Sequence, residues 1–219
     1  MILLKPSFQI LGEVRGAYIL HNIEAAGRTC YKSEDKICTD SAAKFVKNII
    51  ARGHESVLEH QSLSVRVVCD RGVSHELVRH RIASYSQEST RYCNYAGGVA
   101  FIIPPWCNID EGDYNNSRLS PGLTGVELAW FGLCNSAEST YIYLINSGWS
   151  PQQARSVLPN SLKTEIVITQ NLRQWRHFFN LRAAGIAGKP HPQMLEITIP
   201  MLREFKKVIP IVFDGIEVR

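Results

Sequence analysis

The chain has 219 residues, of which 45% are hydrophobic and 20% are charged, an ordinary composition for a globular protein. Its formal charge of +4 is modest, and no apolar run approaches the roughly 20 residues needed to span a bilayer. With no secretory leader at its start and no CxxC among its six cysteines, we expect a soluble, cytoplasmic protein with reduced thiols.

The first 70 residues show strand and helix patterns in turn. Residues 1–10 predict a short strand, and residues 16–29 predict a helix. A second helix is expected over residues 40–52, beginning at residue types that cap helices and ending near Gly53. Residues 61–69 alternate polar and apolar side chains, which is typical of a strand with one buried face.

The remainder of the chain continues this mixed pattern, without internal repeats or linkers. It predicts, in order, a helix at 73–82, strands at 89–95 and 99–103, and a loop at 107–120. Helices at 124–146 and from Ser150-Pro151, a strand at 161–170, and helices at about 171–184 and 192–207 follow. These patterns predict a single α+β domain over residues 1–219.

The most informative stretch is residues 79–92, where three arginines, a histidine, several hydroxyls and an amide follow one another with little apolar material. Unpaired buried charge is costly, so this segment is not core. Arginine offers a planar set of donors that matches phosphate and carboxylate oxygens in pairs. The segment therefore predicts a pocket for a phosphorylated small molecule that carries a base.

The helix expected to end near Arg81 would place Arg79 and Arg81 about 200° apart, with His80 between them. A single ligand contacts both arginines only by wrapping around the helix end. This geometry favours a junction between a cofactor and a substrate, and the alternative is a surface helix with scattered arginines.

A second basic region lies between Arg155 and Pro190, where six lysines and arginines accompany a single acid. So local an excess favours an anion site over a uniformly basic surface. On the helix at 171–184, an apolar stripe predicts core packing. The stripe consists of Leu172, Trp175, Phe178 and Phe179. The polar groups off the stripe exceed what solubility requires; they are Asn171, Arg173, His177 and Arg182.

Two other patterns resemble catalytic motifs but lack the spacing or the sequence context that those motifs need. His54 and His60 are six residues apart, whereas a helical zinc motif needs a spacing of four, so we predict no metal site. Residues 54–60 are either a capped loop with one buried histidine or a segment whose Ser56 and Glu59 bind a cofactor. Ser89 lacks the Gly-x-Ser-x-Gly context of a nucleophile, which favours hydrogen bonding to a ligand.

The segment Arg79–Tyr92 reads Arg-His-Arg, then seven residues, then Ser followed by x-Arg-Tyr. This pattern resembles the defining motif of the flavin-dependent thymidylate synthases. Further landmarks occur in the order of that family and cover most of the chain: Gly53-His54-Glu55, Ala154-Arg155 with Leu158-Pro159, Asn171-Leu172-Arg173 and Asn180-Leu181-Arg182. The resemblance implies a small mixed or antiparallel sheet with flanking helices. It also implies synthesis of dTMP from dUMP, with methylenetetrahydrofolate as carbon donor, FAD as hydride carrier and NADPH as reductant, in a homotetramer with shared active sites.

The resemblance also implies roles for individual residues. Expected at the FAD are Ser56, Arg79, His80, Arg81, Gln87, Asn171, Arg173 and His177, with His54 close to the flavin. Expected at dUMP are Glu76, Arg79, Gln87, Ser89, Thr90, Arg91, Arg155 and Arg182. Arg182 is the candidate that stabilises negative charge on the uracil ring, and Ser89 has a binding role because the family is not thought to need a covalent adduct.

Two other functions use the same residues. An RNA-binding protein would use the arginines for phosphates and would bind oligonucleotides in a strongly salt-dependent way. A flavoprotein with different chemistry would oxidise NADPH without responding to dUMP.

Overall fold

A computed structural model describes residues 1–114 and 122–218. The strands of this part of the chain are β1 (Ile2–Leu4), β2 (Ser7–Leu11), β3 (Ser62–Asp70), β4 (Ser84–Gln87), β5 (Ala100–Ile102), β6 (Gly112–Asp113) and β7 (Lys163–Asn171). Its helices are α1 (Gly16–Thr29), α2 (Ser41–Ala51), α3 (Arg71–Leu77), α4 (Gly125–Asn146), α5 (Pro151–Ala154), α6 (Leu172–Arg182) and α7 (Pro192–Val208). None of these helices has both the length and the apolar character needed to cross a membrane.

The strands form two sheets. In the three-stranded sheet, β1 lies between β5 and β6, parallel to β5 and antiparallel to β6. Leu3 is opposite Phe101 on one side and Gly112 on the other. The four-stranded sheet has the order β2-β3-β7-β4. The α+β class is confirmed, with its strands divided between two sheets.

The chain divides into two compact units, each built from separate segments. Unit 1 consists of residues 1–7, 67–79 and 86–167, and unit 2 consists of residues 8–66, 80–85 and 168–219. Strands β3 and β7 contribute residues to both units. The expectation of a single domain stays a prediction.

Helix α4 and the strands β1 and β5 form the core of unit 1. Phe101 and Tyr141 are fully buried there, together with Cys134. The helix begins with a capping box between Thr124 and Glu127, in which each side chain bonds the backbone of the other residue.

The core of unit 2 is a cluster of aromatic rings on α6 and α7 and at Phe213. Trp175, Phe179 and Phe205 have ring centroids 5.0–5.8 Å apart. The Trp175 Nε1 donates to the carbonyl of Leu63, so its polar atom is satisfied inside the core. The predicted apolar stripe of α6 is confirmed as core, because all four of its side chains are buried.

The helix predicted at 73–82 is wrong at its end, because α3 stops at Leu77. After Leu77 the backbone leaves the α-helical pattern: the amide of Arg79 donates to the carbonyl of Glu76, three residues back, and the carbonyl of His80 accepts from the Tyr85 hydroxyl at 2.6 Å. Arg79 and Arg81 therefore lie beyond the helix, and the 200° separation between them does not apply.

The strand predicted at 89–95 is also wrong. This segment is a turn, in which the amides of Tyr92 and Cys93 both donate to the carbonyl of Ser89. The polar strand β4, just before it, has no apolar alternation and was not predicted. Of the loop predicted at 107–120, Gly112–Asp113 form β6, and residues 115–120 lie outside the described part.

Candidate active site

A cavity of ≈ 530 Å³ lies beside the first turns of α6 in unit 2. Its walls include residues of the 3₁₀ helix Glu55–His60, the side chain of Ile82 and one face of α6. Arg173, His177 and Asn180 line it at spacings of four and three residues, which places them on the same face of the helix. The volume falls within the range of about 300–1,000 Å³ that is typical of ligand pockets.

Two ion pairs join the 3₁₀ helix to α6 at this cavity. Arg173 Nη1 lies 2.5 Å from Glu59 Oε1, and Arg176 Nη2 lies 2.9 Å from Glu55 Oε1. The Arg173 pair is nearly half exposed, so water screens it and it separates at little cost. Arg176 is mostly buried and also donates to the carbonyl of Val212. Arg173 is therefore the guanidinium that a ligand anion can recruit, whereas Arg176 has a structural role.

Asn171 connects the cavity to the start of α6. Its Oδ1 accepts a hydrogen bond from the backbone amide of Gln174 at 2.9 Å, which makes it the N-cap of the helix. The first turn of a helix carries unpaired amides and the positive end of the helix dipole. An anion in the cavity would thus meet this helix end and Arg173 together.

His80 is buried against α6 and contacts Arg182. Its ring lies 4.9 Å from that of Phe178 between centroids, and its Nε2 accepts a hydrogen bond from Arg182 Nε at 3.1 Å. Burial lowers the pKa of His80 to about 4, and the nearby charges of Arg182 and His177 act in the same direction. At neutral pH the imidazole is therefore uncharged, and its proton is on Nδ1 because Nε2 is an acceptor.

Four of the residues predicted for the flavin are exposed and do not line this cavity: His54, Ser56, Arg79 and Arg81. Ser56 lies within the 3₁₀ helix, next to Glu55. Arg81 directly precedes the lining residue Ile82, and His54 directly precedes Glu55. His60 is exposed as well. The interpretation of residues 54–60 as a loop with one buried histidine is therefore wrong.

In unit 1, Gln87 is held at the end of β4. Its Nε2 donates to Ser74 Oγ at 2.9 Å and to Thr164 Oγ1 at 3.2 Å. These bonds orient the amide from two different elements, the helix α3 and the strand β7. Gln87 is therefore held in place before the Ser89 turn begins.

Thr90 and two arginines come together in unit 1. Arg155 Nη1 donates to Thr90 Oγ1 at 3.2 Å, and Arg91 Nε donates to Gln152 Oε1 at 3.4 Å. Both arginines are exposed, and α5 joins them because Gln152 lies within it and Arg155 directly follows it. Within residues 1–114 and 122–218, no acidic partner is recorded for either guanidinium. Two unneutralised arginines beside a hydroxyl are suited to binding a phosphate.

The remaining predicted substrate residues of unit 1 flank these groups in the chain. Glu76 lies in the last turn of α3, where its carbonyl accepts from the amide of Arg79 at 3.2 Å. The Arg79 side chain is exposed. Ser89 Oγ accepts from the amide of Arg91 at 3.3 Å, so it stabilises the turn locally.

The two arginine-rich stretches meet at two places. Arg155 meets Thr90 in unit 1, and Arg182 meets His80 in unit 2. Unit 1 contains most of the residues predicted for dUMP, and unit 2 contains most of those predicted for FAD, together with Arg182. Their individual roles stay predictions.

Sequence reasoning missed several residues. Arg176, Gln174 and Asn180 line the cavity, and the spacing of Asn180 from His177 and Arg173 was the available signal. Glu88 was missed as well, although its carboxylate contacts Tyr95 and Lys163. No local pattern identifies the partners of Glu88, because Lys163 is 75 residues away in the chain.

Residues 19–211 match the family model described as thymidylate synthase complementing protein. The chain is 34% identical over 203 residues to a flavin-dependent thymidylate synthase of Mycobacterium avium, covering 90% of this chain and 79% of the relative. It is 33% identical over 199 residues to the flavin-dependent thymidylate synthase of Geobacter sulfurreducens, covering 87% and 79% respectively.

The fold is similar to that of a UMP/dUMP methylase, PolB from Streptomyces cacaoi, solved with 5-Br UMP. The TM-score is 0.76 at 22% sequence identity, covering 98% of this chain and 95% of that one. A second structure of PolB, with 5-Br dUMP, gives the same TM-score at 24% identity and covers 98% of this chain and 96% of that one. At this level of identity, the likeness shows the fold alone.

Proposed function

The chain belongs to the thymidylate synthase complementing protein family, whose members are flavin-dependent thymidylate synthases, and we propose that it converts dUMP to dTMP by reductive methylation. Family membership makes it a methyltransferase enzyme. The proposed carbon donor is methylenetetrahydrofolate and the proposed reductant is NADPH. The observation that carries the substrate assignment is the pair Arg91 and Arg155 beside Thr90.

The cavity of unit 2 has the chemistry of a site for part of a flavin dinucleotide, because amide, imidazole and guanidinium groups line it beside a helix N-terminus. Asn171, Arg173 and His177 would hold it there, with the first turn of α6 and Arg173 meeting the diphosphate. His80, Arg81 and Ser56 are proposed as further contacts. When bound, FAD would supply hydride transfer, which no amino-acid side chain can perform.

Arg91, Arg155, Thr90 and Ser89 are proposed to bind the phosphate of dUMP. Each guanidinium presents two parallel N–H groups that match phosphate oxygens. Gln87, held by Ser74 and Thr164, presents a fixed polar group to the nucleotide. Glu76 and Arg79 complete the proposed substrate set.

Arg182 is proposed to act at the uracil ring. Carbon 5 of uracil is a poor nucleophile until negative charge builds on the ring, and a guanidinium at the N3 and O2 edge stabilises that charge. The neutral His80 accepts from Arg182 Nε and so orients the guanidinium without adding a positive charge beside it. His54 is proposed to lie near the flavin.

The comparisons give no support to the alternative of an RNA-binding protein. Arg173 and Arg176 both pair with acids in unit 2, whereas a protein that tracks a nucleic-acid backbone needs a continuous basic surface. Oligonucleotide binding that weakens steeply with salt would favour that alternative.

A homotetramer with shared active sites in the cytoplasm is also proposed. Support for assembly comes from α4, whose solvent-facing side exposes Val126, Leu133 and Tyr143. The charged residues of this helix, Glu127 and Glu138, are both buried. A wide uncharged helix face of this kind is typical of interfaces between proteins.

The decisive experiment measures dTMP formation from dUMP with FAD, NADPH and methylenetetrahydrofolate, omitting each in turn. We expect product only with the complete mixture, and a yellow purified protein. NADPH oxidation that ignores dUMP and yields no dTMP would instead identify a flavoprotein of different chemistry.

A further inference from the structure

Glu88 is the single acid within residues 79–92, and its polar atoms are all engaged in unit 1. Its carboxylate accepts from the Tyr95 hydroxyl at 2.9 Å, from Lys163 Nζ at 3.2 Å and from the Glu165 amide at 3.1 Å. Its own amide donates to the carbonyl of Glu165 at 2.9 Å, and its carbonyl accepts from Arg71 at 3.4 Å. Glu88 is thus tied to β7, to α3 and to the segment after the Ser89 turn.

The carboxylate of Glu88 takes a different partner set from the neighbouring Gln87. Gln87 bonds Thr164, whereas Glu88 bonds Lys163 and the amide of Glu165, on either side of Thr164 in β7. Side chains of successive residues on a strand point to opposite faces. Glu88 therefore contacts the other face of β7 from Gln87.

The protonation states of Lys163 and Tyr95 preserve this hydrogen-bond network. Burial alone would lower the pKa of Lys163, but its hydrogen bonds to Glu165 and Glu88 raise it above the ordinary value. Burial and the bond to Glu88 raise the pKa of Tyr95. Lys163 therefore stays charged and Tyr95 keeps its proton, so both remain donors to Glu88 at neutral pH.

The Ser89 turn begins directly after this anchor. Ser89 closes the turn by accepting from Tyr92 and Cys93, and Thr90 and Arg91 lie inside it. We infer that Glu88 is a positioning residue, which fixes the Ser89–Arg91 turn so that its hydroxyls and Arg91 are arranged for an anionic substrate. The part of this inference that concerns substrate binding rests on the proposed function.

The test is Glu88→Gln in the FAD-loaded enzyme. The amide keeps the size of the side chain but removes its charge, so Lys163 and the Glu165 amide lose their anionic acceptor. An NH₂ group on their side meets two donors, whereas an NH₂ group on the side of Tyr95 is satisfied only if the hydroxyl reverses its own bond. We expect the dUMP dissociation constant, measured by calorimetry, to rise about tenfold, as for a lost charge-assisted hydrogen bond. Hydrogen exchange of the Tyr92 and Cys93 amides should accelerate, while the flavin content stays unchanged.

A second variant, Tyr95→Phe, removes one donor and should give a smaller change in the same direction, which keeps the test valid if Glu88→Gln does not fold. The matched control is Glu204→Gln, which breaks the exposed pair with Lys207 on α7 and should change neither readout. Unchanged exchange and affinity in both test variants would overturn the inference, as would faster exchange spread over the whole chain. If the wild-type enzyme fails to bind dUMP, the proposed function is refuted. Hydrogen exchange of the Tyr92 and Cys93 amides would still decide whether Glu88 fixes the Ser89–Arg91 turn.

Discussion

Single side chains set the local electrostatics of unit 2, and the contact between Arg182 and His80 is the clearest case. Arg182 Nε donates to a neutral imidazole, so this contact places no second positive charge beside the guanidinium. The catalytic role of Arg182 at the uracil ring is a proposal, which the following variant tests.

Replacing Arg182 with alanine should leave bound FAD in place and reduce dTMP formation by about 100-fold or more, the usual cost of a lost group that stabilises developing charge. Arg182→Lys should lose less, because it keeps the charge but not the planar set of donors. Flavin absorbance and single-turnover dTMP formation measure the two effects. The control is Arg203→Ala, at an exposed arginine. Full turnover in Arg182→Ala would contradict the role proposed for Arg182.

The buried His80 predicts how stability depends on pH. Its pKa is about 4 in the folded protein and about 6.5 in an unfolded chain. The unfolded state therefore binds more protons between these values, so the free energy of unfolding should be complete above pH 6.5 and should fall as the pH drops from 6.5 to 4.

The variant His80→Gln keeps an acceptor but cannot titrate, so this part of the pH dependence should disappear. Urea unfolding at several pH values between 7 and 4 measures the slope. The matched control is His75→Gln, at an exposed histidine, and it should leave the slope as in the wild type. An unchanged slope in His80→Gln would show that the imidazole is not held neutral.

At the scale of elements, periodicity predicted most helices well and failed where long-range bonds intervene. Helices α1 and α4 match the predicted ranges to within one residue, because local signals set them: apolar spacing in α1 and a capping box at the start of α4. Helix α3 ends earlier than predicted, and beyond it the carbonyl of His80 bonds the Tyr85 hydroxyl. Strand β4 was missed because its pairing within the four-stranded sheet, and not an apolar pattern, makes it a strand.

The start of α6 allows capping and ligand binding to be separated. Asn171→Asp keeps an oxygen for the Gln174 amide, so stability should hold, but it removes the amide donor proposed for the flavin. Asn171→Ala loses the cap as well and should cost about 1 kcal/mol. Urea unfolding without flavin and FAD affinity measure the two roles. Equal stability of both variants would contradict the capping role, and unimpaired FAD affinity in Asn171→Asp would contradict the binding role.

At the scale of the whole molecule, the exposed face of α4 predicts assembly. Leu133 is 59% exposed, and a carboxylate at this position would be desolvated in an interface. Leu133→Glu should therefore reduce the oligomer to smaller species in sedimentation velocity, whereas Leu133→Ala should shift it less. A tetramer that survives Leu133→Glu would exclude this face from the interface.

The assembly of each unit from separate chain segments predicts that the protein unfolds cooperatively. Each unit is assembled from separate segments, and β3 and β7 run through both, so neither unit can unfold alone without breaking those strands. Far-UV circular dichroism and tryptophan fluorescence should report a single coincident transition in urea. Separate midpoints would show two domains instead of the predicted one.

The sequence by itself determined the α+β class, the helices with a clear apolar period and the set of arginines, because these are written in local spacing and in a specific motif. Only the tertiary structure decided which partner each charge meets. Arg173 finds Glu59 across 114 residues and Arg182 finds His80 across 102, while Arg91 and Arg155 keep no recorded acidic partner in the described part of the chain. Pairing of this kind depends on which elements pack together, and packing is a property of the fold that no local window contains.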